Sequence, residues 1–162
     1  MSSRLPDALL PVLDGAVPTH IVHADGGNGS ILAAILGRLP RATGALVDRA
    51  DVVARAGPVL EASRVADRVD VVDVDPDGPM PAGGDVYLIV DADGPRMAAL
   101  LVRCRAAMSA AAQLVACEPG DPSRVTVLSV VVQGAGFAVE RVEPSGEAEH
   151  AWRVVVARRR AD

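Results

Sequence analysis

The stretch Thr19-His20-Ile21-Val22-His23-Ala24-Asp25-Gly26-Gly27-Asn28-Gly29-Ser30 decides the fold class of this chain. Its first five residues include several β-branched side chains and predict a strand. A glycine-rich turn follows at once, and residues 30–39 then carry apolar side chains at helical spacing up to Pro40, which ends the helix. A strand, a glycine turn and a helix in direct succession are typical of the first unit of doubly wound α/β folds, in which this turn binds a ligand.

The remainder of the chain continues to alternate apolar, β-branched runs with helical stretches rich in Ala, Leu and Arg. This alternation predicts a mainly parallel sheet with helices on both faces, and the last two strands predict one antiparallel strand at the end of the chain. The predicted strands are 19–23, 44–47, 69–74, 85–90, 113–117, 137–142 and 152–157, with a polar loop at 143–150. The predicted helices are 30–39, 50–62 and 96–108, the second of them broken or kinked at Gly57-Pro58.

The apolar segment 124–133 is compatible with two structures. Its β-branched content favours a strand, whereas its place before Gly134-Ala135-Gly136 favours a buried helix that ends in a glycine cap. Its apolar side chains either pack on the sheet, which we favour, or form a partly uncovered surface for association.

Length, composition and charge exclude several classes of protein for this chain. The 162 residues predict a single domain over residues 1–162. The net charge of −5, the absence of lysine and the aromatic content of 2% disfavour nucleic-acid binding. No apolar stretch approaches the roughly 20 residues that a membrane span requires, and the N-terminus does not resemble a signal peptide. We therefore expect a cytoplasmic protein that binds neither nucleic acid nor membrane.

The two cysteines, Cys104 and Cys117, lie 13 residues apart without a CxxC motif or a nearby histidine. This pattern favours reduced thiols over a disulfide, and it predicts no metal site.

Carboxylates follow the predicted strands at the edge of the sheet where doubly wound folds bind their ligands. Asp25 lies in the glycine turn, Asp48 ends the second strand and Asp75 follows the third. The dinucleotide fingerprint fails because Leu32 stands where a small residue is required, and a phosphate-binding loop of the GxxxxGK[ST] type is excluded by the absence of lysine. A rim of carboxylates suits a ligand with hydroxyls and positive charge, such as S-adenosylmethionine. The Asp48 carboxylate would accept hydrogen bonds from both hydroxyls of its ribose. The alternative is that Asp48 is a solvated aspartate at a strand end.

Several stretches of the chain resemble the class I S-adenosylmethionine-dependent O-methyltransferases that act on small molecules in natural-product pathways. The resemblance covers about residues 15–158 and implies a seven-stranded Rossmann-like sheet with the last strand antiparallel. It places the methionine end of S-adenosylmethionine at the glycine turn, the ribose at Asp48 and the adenine near Asp75. The stretches that carry it are 21–30, 44–48, 65–69, 81–88, 104–108 and 134–137. The cofactor-binding residues that it predicts are Asp25, Gly26, Gly27, Gly29, Asp48 and Asp75.

The chain also departs from that family. His23 replaces an acidic residue, Asp25 replaces a glycine, and Pro76 stands where the family has an aromatic residue. The histidine that serves the family as general base after the fourth strand has no counterpart here, because no histidine lies between His23 and His150. The catalytic residue is therefore left unknown, since Asp91 and Asp93 are weak candidates for a base.

Two other features of the family are reduced. The segment that lines the acceptor pocket is cut to about residues 118–122, and the helical domain through which the family dimerises is not in this chain. The first hypothesis is an O-methyltransferase-like protein that acts on a small-molecule hydroxyl, with a homo-oligomer or a partner protein completing the pocket. The alternative is a degenerate, non-catalytic methyltransferase fold that serves as a binding partner or scaffold. A dinucleotide-dependent oxidoreductase is disfavoured by the failed fingerprint.

Overall fold

The computed structural model describes residues 5–14, 18–120, 126–145 and 151–161. Its strands form one seven-stranded sheet in the order β3-β2-β1-β4-β5-β7-β6. The strands β1 to β5 pair in parallel, and β7 pairs antiparallel with both β5 and β6. The predicted class, a mainly parallel sheet with an antiparallel last strand, is confirmed. The strands are β1 His20–Ala24, β2 Thr43–Asp48, β3 Val69–Asp73, β4 Val86–Val90, β5 Gln113–Pro119, β6 Phe137–Ser145 and β7 Trp152–Arg159.

Helices cover both faces of this sheet. The helices are α1 Leu5–Asp14, α2 Ser30–Arg38, α3 Ala50–Val53, α4 Ala56–Ala62, α5 Gly94–Ala107 and α6 Thr126–Gly134, with a 3₁₀ turn at Ala66–Arg68. Apolar side chains of α1, α2 and α4 form one buried cluster with one face of the sheet, and those of α5 and α6 form a second cluster with the other face. Neighbouring strand residues such as Leu88 and Ile89 point into opposite clusters, and for this reason the central strands are apolar at almost every position. None of the helices in the described ranges is long and apolar enough to cross a bilayer.

Helix α1 was not predicted. Leu5, Leu9 and Leu13 recur every four residues and are buried against α2 and the sheet. Pro11 lies inside the helix, and the local sequence therefore argues against a helix here, because proline disfavours helix interiors. Burial of the leucine stripe outweighs this local cost.

The break in the second predicted helix was placed wrongly. The helix is interrupted at Ala54 and Arg55, and Gly57 and Pro58 lie in the first turn of α4. Proline is tolerated there because the first N–H groups of a helix have no partner within the helix.

The ambiguous apolar segment forms helix α6 from Thr126 onward, while residues 124–125 lie outside the described residues. Gly136 follows with a φ of +90° and ends the helix as expected. The helix is amphipathic rather than fully buried, because Leu128 and Val132 are buried whereas Val127 is 67% exposed. Strand β6 extends to Ser145, so the polar loop begins later than predicted, and its residues 146–150 lie outside the described part of the chain.

Candidate ligand-binding site

The glycine turn connects β1 to α2 at the carboxyl edge of the sheet, between the ends of β2 and β4. Asp25, Gly27 and Gly29 all adopt left-handed backbone conformations, with φ of +60°, +62° and +81°. The turn is fixed from below by the N–H of Gly26, which donates to the Val47 carbonyl at 3.2 Å. A Cβ at Gly26 would lie 2.3 Å from Leu46 Cδ1, so a larger residue here would force the buried Leu46 side chain to shift.

Asp48 is a buried polar group at the pocket. It ends β2 with only 6% of its surface exposed. Its Oδ2 accepts a hydrogen bond from the Gly27 N–H at 2.9 Å, and its Oδ1 accepts one from the Arg49 N–H at 2.7 Å. A carboxylate oxygen accepts two hydrogen bonds, so each oxygen keeps one position for a ligand.

An ion pair joins the glycine turn to helix α5. The guanidinium of Arg96 donates to Asp25 Oδ1, and this hydrogen bond raises the pKa of Arg96 above its usual value. The Asp25 side chain is 14% exposed and that of Arg96 is 56% exposed. Asp93 caps α5 by accepting the Arg96 N–H at 3.0 Å, so the start of the helix holds the arginine backbone in place.

A pocket of about 420 Å³ lies at this edge of the sheet. Asp48 and the Asp25–Arg96 pair line it, Asp75 and Pro76 are exposed on its rim, and buried Met80 and Leu100 contribute apolar surface. The other lining residues are Val47, Arg49, Val52, Val74, Asp77, Ala99 and Arg103.

The rim at Asp75 is held from helix α5. The Gly78 N–H donates to the Asp75 carbonyl at 2.8 Å and closes a turn after β3. Arg103 Nε donates to the Gly78 carbonyl at 2.6 Å. Arg103 on α5 therefore holds this turn in place, and the turn fixes the position of Asp75.

The structure thus brings three of the six predicted binding residues, Asp25, Asp48 and Asp75, to one pocket. Gly26, Gly27 and Gly29 form the adjoining turn but do not line the pocket. Sequence reasoning missed Arg96 and Arg103, which reach the pocket from α5. The sequence offered one signal for both residues: they lie in the helix predicted after the fourth strand. Such a helix begins at the same sheet edge as the glycine turn, so its side chains can reach the same site.

His23 is a buried core group rather than a pocket residue. It is 1% exposed, and neither ring nitrogen has a hydrogen-bond partner. Burial lowers the pKa of His23 to about 4, although Asp48 opposes this shift. The ring is therefore neutral, and it packs so closely beneath Gly26 that a Cβ added to that glycine would lie 3.0 Å from Nδ1.

The candidate bases and the thiols do not line the pocket. Asp93 is the cap of α5, and Asp91 is exposed at the end of β4. Cys104 and Cys117 are free and buried, and burial raises the pKa of both, to about 12 for Cys104. The described residues contain no group of three or more His, Cys, Asp or Glu side chains placed to hold a metal ion.

No family model matches the chain, whereas individual relatives do. The 8-amino-8-demethylriboflavin N,N-dimethyltransferase of Streptomyces davaonensis is 31% identical over 182 aligned positions, which cover 94% of this chain and 51% of the relative. Aclacinomycin 10-hydroxylase of Streptomyces purpurascens is 38% identical over 76 residues, which cover 47% of this chain and 20% of the relative. The solved mitomycin 7-O-methyltransferase matches with a TM-score of 0.79 and 26% identity, over 98% of this chain and 52% of that protein.

The strand order, the antiparallel last strand and the glycine turn after β1 define a class I methyltransferase fold. Its relatives and the solved structures that share this fold include small-molecule methyltransferases of natural-product pathways, and the chain is similar to them. The chain spans about half the length of the 8-amino-8-demethylriboflavin N,N-dimethyltransferase and of the mitomycin 7-O-methyltransferase.

Proposed function

We propose that this protein binds S-adenosylmethionine in the pocket and transfers its methyl group to a hydroxyl of a small-molecule acceptor. The observation that carries the proposal is the Asp48 carboxylate, which is buried at the pocket and held by two backbone N–H groups. Such a carboxylate is preorganised to accept both hydroxyls of a ribose, and charge-assisted hydrogen bonds of this kind are strong.

The residues present fit this cofactor. The pocket of about 420 Å³ is within the ordinary range of about 300–1,000 Å³ for small-ligand sites. Its four carboxylates suit a ligand that carries hydroxyls, an ammonium and a sulfonium, and its three arginines suit a ligand carboxylate. A Cβ built on Gly27 would meet nothing within 4 Å, so open space adjoins the turn where the methionine end of the cofactor would approach the backbone.

Each predicted contact has a role in this proposal. Asp48 would hold the ribose, and the turn at Gly27 and Gly29 would hold the methionine end. The Asp75 rim and the apolar wall that includes Met80 line the same pocket and would hold the adenine. Arg103 acts indirectly, by holding the turn that presents Asp75.

When bound, S-adenosylmethionine supplies an electrophilic methyl group: the acceptor oxygen forms the new C–O bond, the C–S bond breaks with its electron pair left on sulfur, and the hydroxyl proton is lost. The residues of this chain contribute chiefly by holding the cofactor and by orienting it towards the acceptor. A general base typically adds only about 10²–10⁴-fold. Transfer to a reactive, already acidic hydroxyl is therefore compatible with a pocket that Asp91 and Asp93 do not line.

The acceptor side extends the proposal to partners. We expect a second copy of the chain or a partner protein to complete the acceptor pocket, with the exposed valines of α6, Val127 and Val130, as candidate contacts.

That the chain forms a single domain and lies in the cytoplasm remains a prediction.

Titration calorimetry with S-adenosylmethionine and S-adenosylhomocysteine tests cofactor binding directly. Binding of both, together with methyl transfer to a panel of phenolic acceptors, is the expected result. Binding without transfer to any acceptor would instead support a non-catalytic scaffold. No binding of either ligand would overturn the proposed function.

A further inference from the structure

Asp25 occupies a backbone conformation that favours glycine. Its φ is +60°, yet it carries a carboxylate that pairs with Arg96 of α5 beside the pocket. The turn therefore presents a negative group and the helix a positive group at one wall of the pocket. The contact uses one nitrogen of a guanidinium that carries five N–H donors, so a second carboxylate can bind Arg96 at the same time.

We propose that the Asp25–Arg96 pair recognises the α-amino acid group of the ligand, an inference that rests on the proposed function. Arg96 binds the ligand carboxylate, and Asp25 binds the ligand ammonium. A zwitterion offers one group of each sign, so it adds one ion pair to Arg96 and one to Asp25 without changing the net charge of the site. A ligand without this group gains nothing from the pair. The two residues thus determine specificity for ligands that carry a free amino acid end.

The neighbouring contacts support this role. The Asp93 side chain accepts the Arg96 N–H at 3.0 Å, which fixes the backbone from which the arginine extends. The Asp25 carboxylate is 14% exposed and is therefore shielded from bulk water. Asp25 precedes Gly27 by two residues, and the N–H of Gly27 binds Asp48. The proposed sites for the ribose and for the amino acid end are therefore adjacent on one turn, as a single ligand requires.

The test compares S-adenosylhomocysteine with 5′-methylthioadenosine, which has the same nucleoside but lacks the amino acid group. Calorimetry on the parent is expected to show binding of S-adenosylhomocysteine about tenfold tighter or more, the scale of hydrogen bonds between charged groups. Arg96→Gln and Asp25→Asn should each reduce that preference severalfold and leave the affinity for 5′-methylthioadenosine unchanged. Asparagine tolerates the left-handed conformation, so Asp25→Asn keeps the turn. Arg141→Gln is the matched control, because Arg141 pairs with Glu143 on β6 and does not line the pocket.

The outcomes separate this inference from the proposed function. If the parent binds S-adenosylhomocysteine but both variants keep its full preference over 5′-methylthioadenosine, the ion pair has no part in recognition and only this inference fails. Equal weakening of both ligands would also overturn it, since that result indicates a general structural role. A parent that binds neither ligand would overturn the inference and the proposed function together. Circular dichroism melts of each variant verify that the fold is intact.

Discussion

The carboxylate of Asp48 accepts a 2.9 Å hydrogen bond from the N–H of Gly27, and this bond joins the end of β2 to the glycine turn after β1. Two strands that are adjacent in the sheet are thereby locked together at the pocket. The same carboxylate therefore has two functions, to fix the turn and to present its free acceptor positions to a ligand.

The first prediction concerns that carboxylate as a ligand contact. Asp48→Ala is expected to weaken S-adenosylmethionine binding by about 1.5–3 kcal/mol, because it removes charged hydrogen bonds to the ribose. Calorimetric titration measures the change. Asp73→Ala is the matched control, since Asp73 ends the neighbouring strand, is exposed and does not line the pocket. Unchanged affinity in Asp48→Ala would show that the ribose is held elsewhere.

The second prediction concerns the packing of the turn. Gly26→Ala is expected to destabilise the fold by about 1–3 kcal/mol, because the new Cβ would lie 2.3 Å from Leu46 Cδ1 and 3.0 Å from His23 Nδ1. Urea denaturation measures the loss. Gly37→Ala provides the contrast: the Cβ at this helical position meets nothing within 4 Å, so we expect a gain of up to about 1 kcal/mol. Equal stabilities of the two variants would contradict the close packing beneath the turn.

The third prediction concerns pH and the buried His23. Its pKa is lowered from 6.5 in the unfolded chain to about 4 in the folded protein, so the unfolded state binds the proton more tightly. The contribution of this group to stability is complete above pH 6.5 and falls as the pH decreases through the window to about 4. The total loss amounts to about 3 kcal/mol at 1.36 kcal/mol per pKa unit.

Urea denaturation at several pH values between 4 and 7 tests this dependence. His23→Leu should abolish this part of the loss, because leucine does not titrate and leaves no unsatisfied nitrogen. His20→Gln is the control, since it keeps His23 and should keep the loss. A parent and a His23→Leu variant with the same pH profile would rule out His23 as its source.

Local sequence patterns sufficed for the layered fold but not for the complete pocket. The strands were predictable because central parallel strands are apolar on both faces, and the turn at Gly26 was predictable from its glycines. The pairing of Asp25 with Arg96 spans 71 residues and depends on where α5 begins, which no local pattern encodes. Helix α1 was not predictable because its leucine spacing favours a helix whereas Pro11 disfavours one. The helix forms because the leucines pack against α2, a contact that the local sequence does not reveal.

The last prediction concerns the two sides of helix α6, which the sequence pattern left open. Leu128 is 2% exposed and packs on the sheet, whereas the adjacent Val127 is 67% exposed. Leu128→Asp should therefore bury an unpaired charge and lower the free energy of unfolding by about 3 kcal/mol or more. Val127→Asp should change it by no more than about 0.5 kcal/mol, because the carboxylate stays in water. Thermal melts of the two variants measure this contrast, and light scattering on the Val127→Asp variant shows whether the exposed side of α6 also mediates association. If Val127→Asp unfolds the protein as readily as Leu128→Asp, the exposed side of α6 is part of the core.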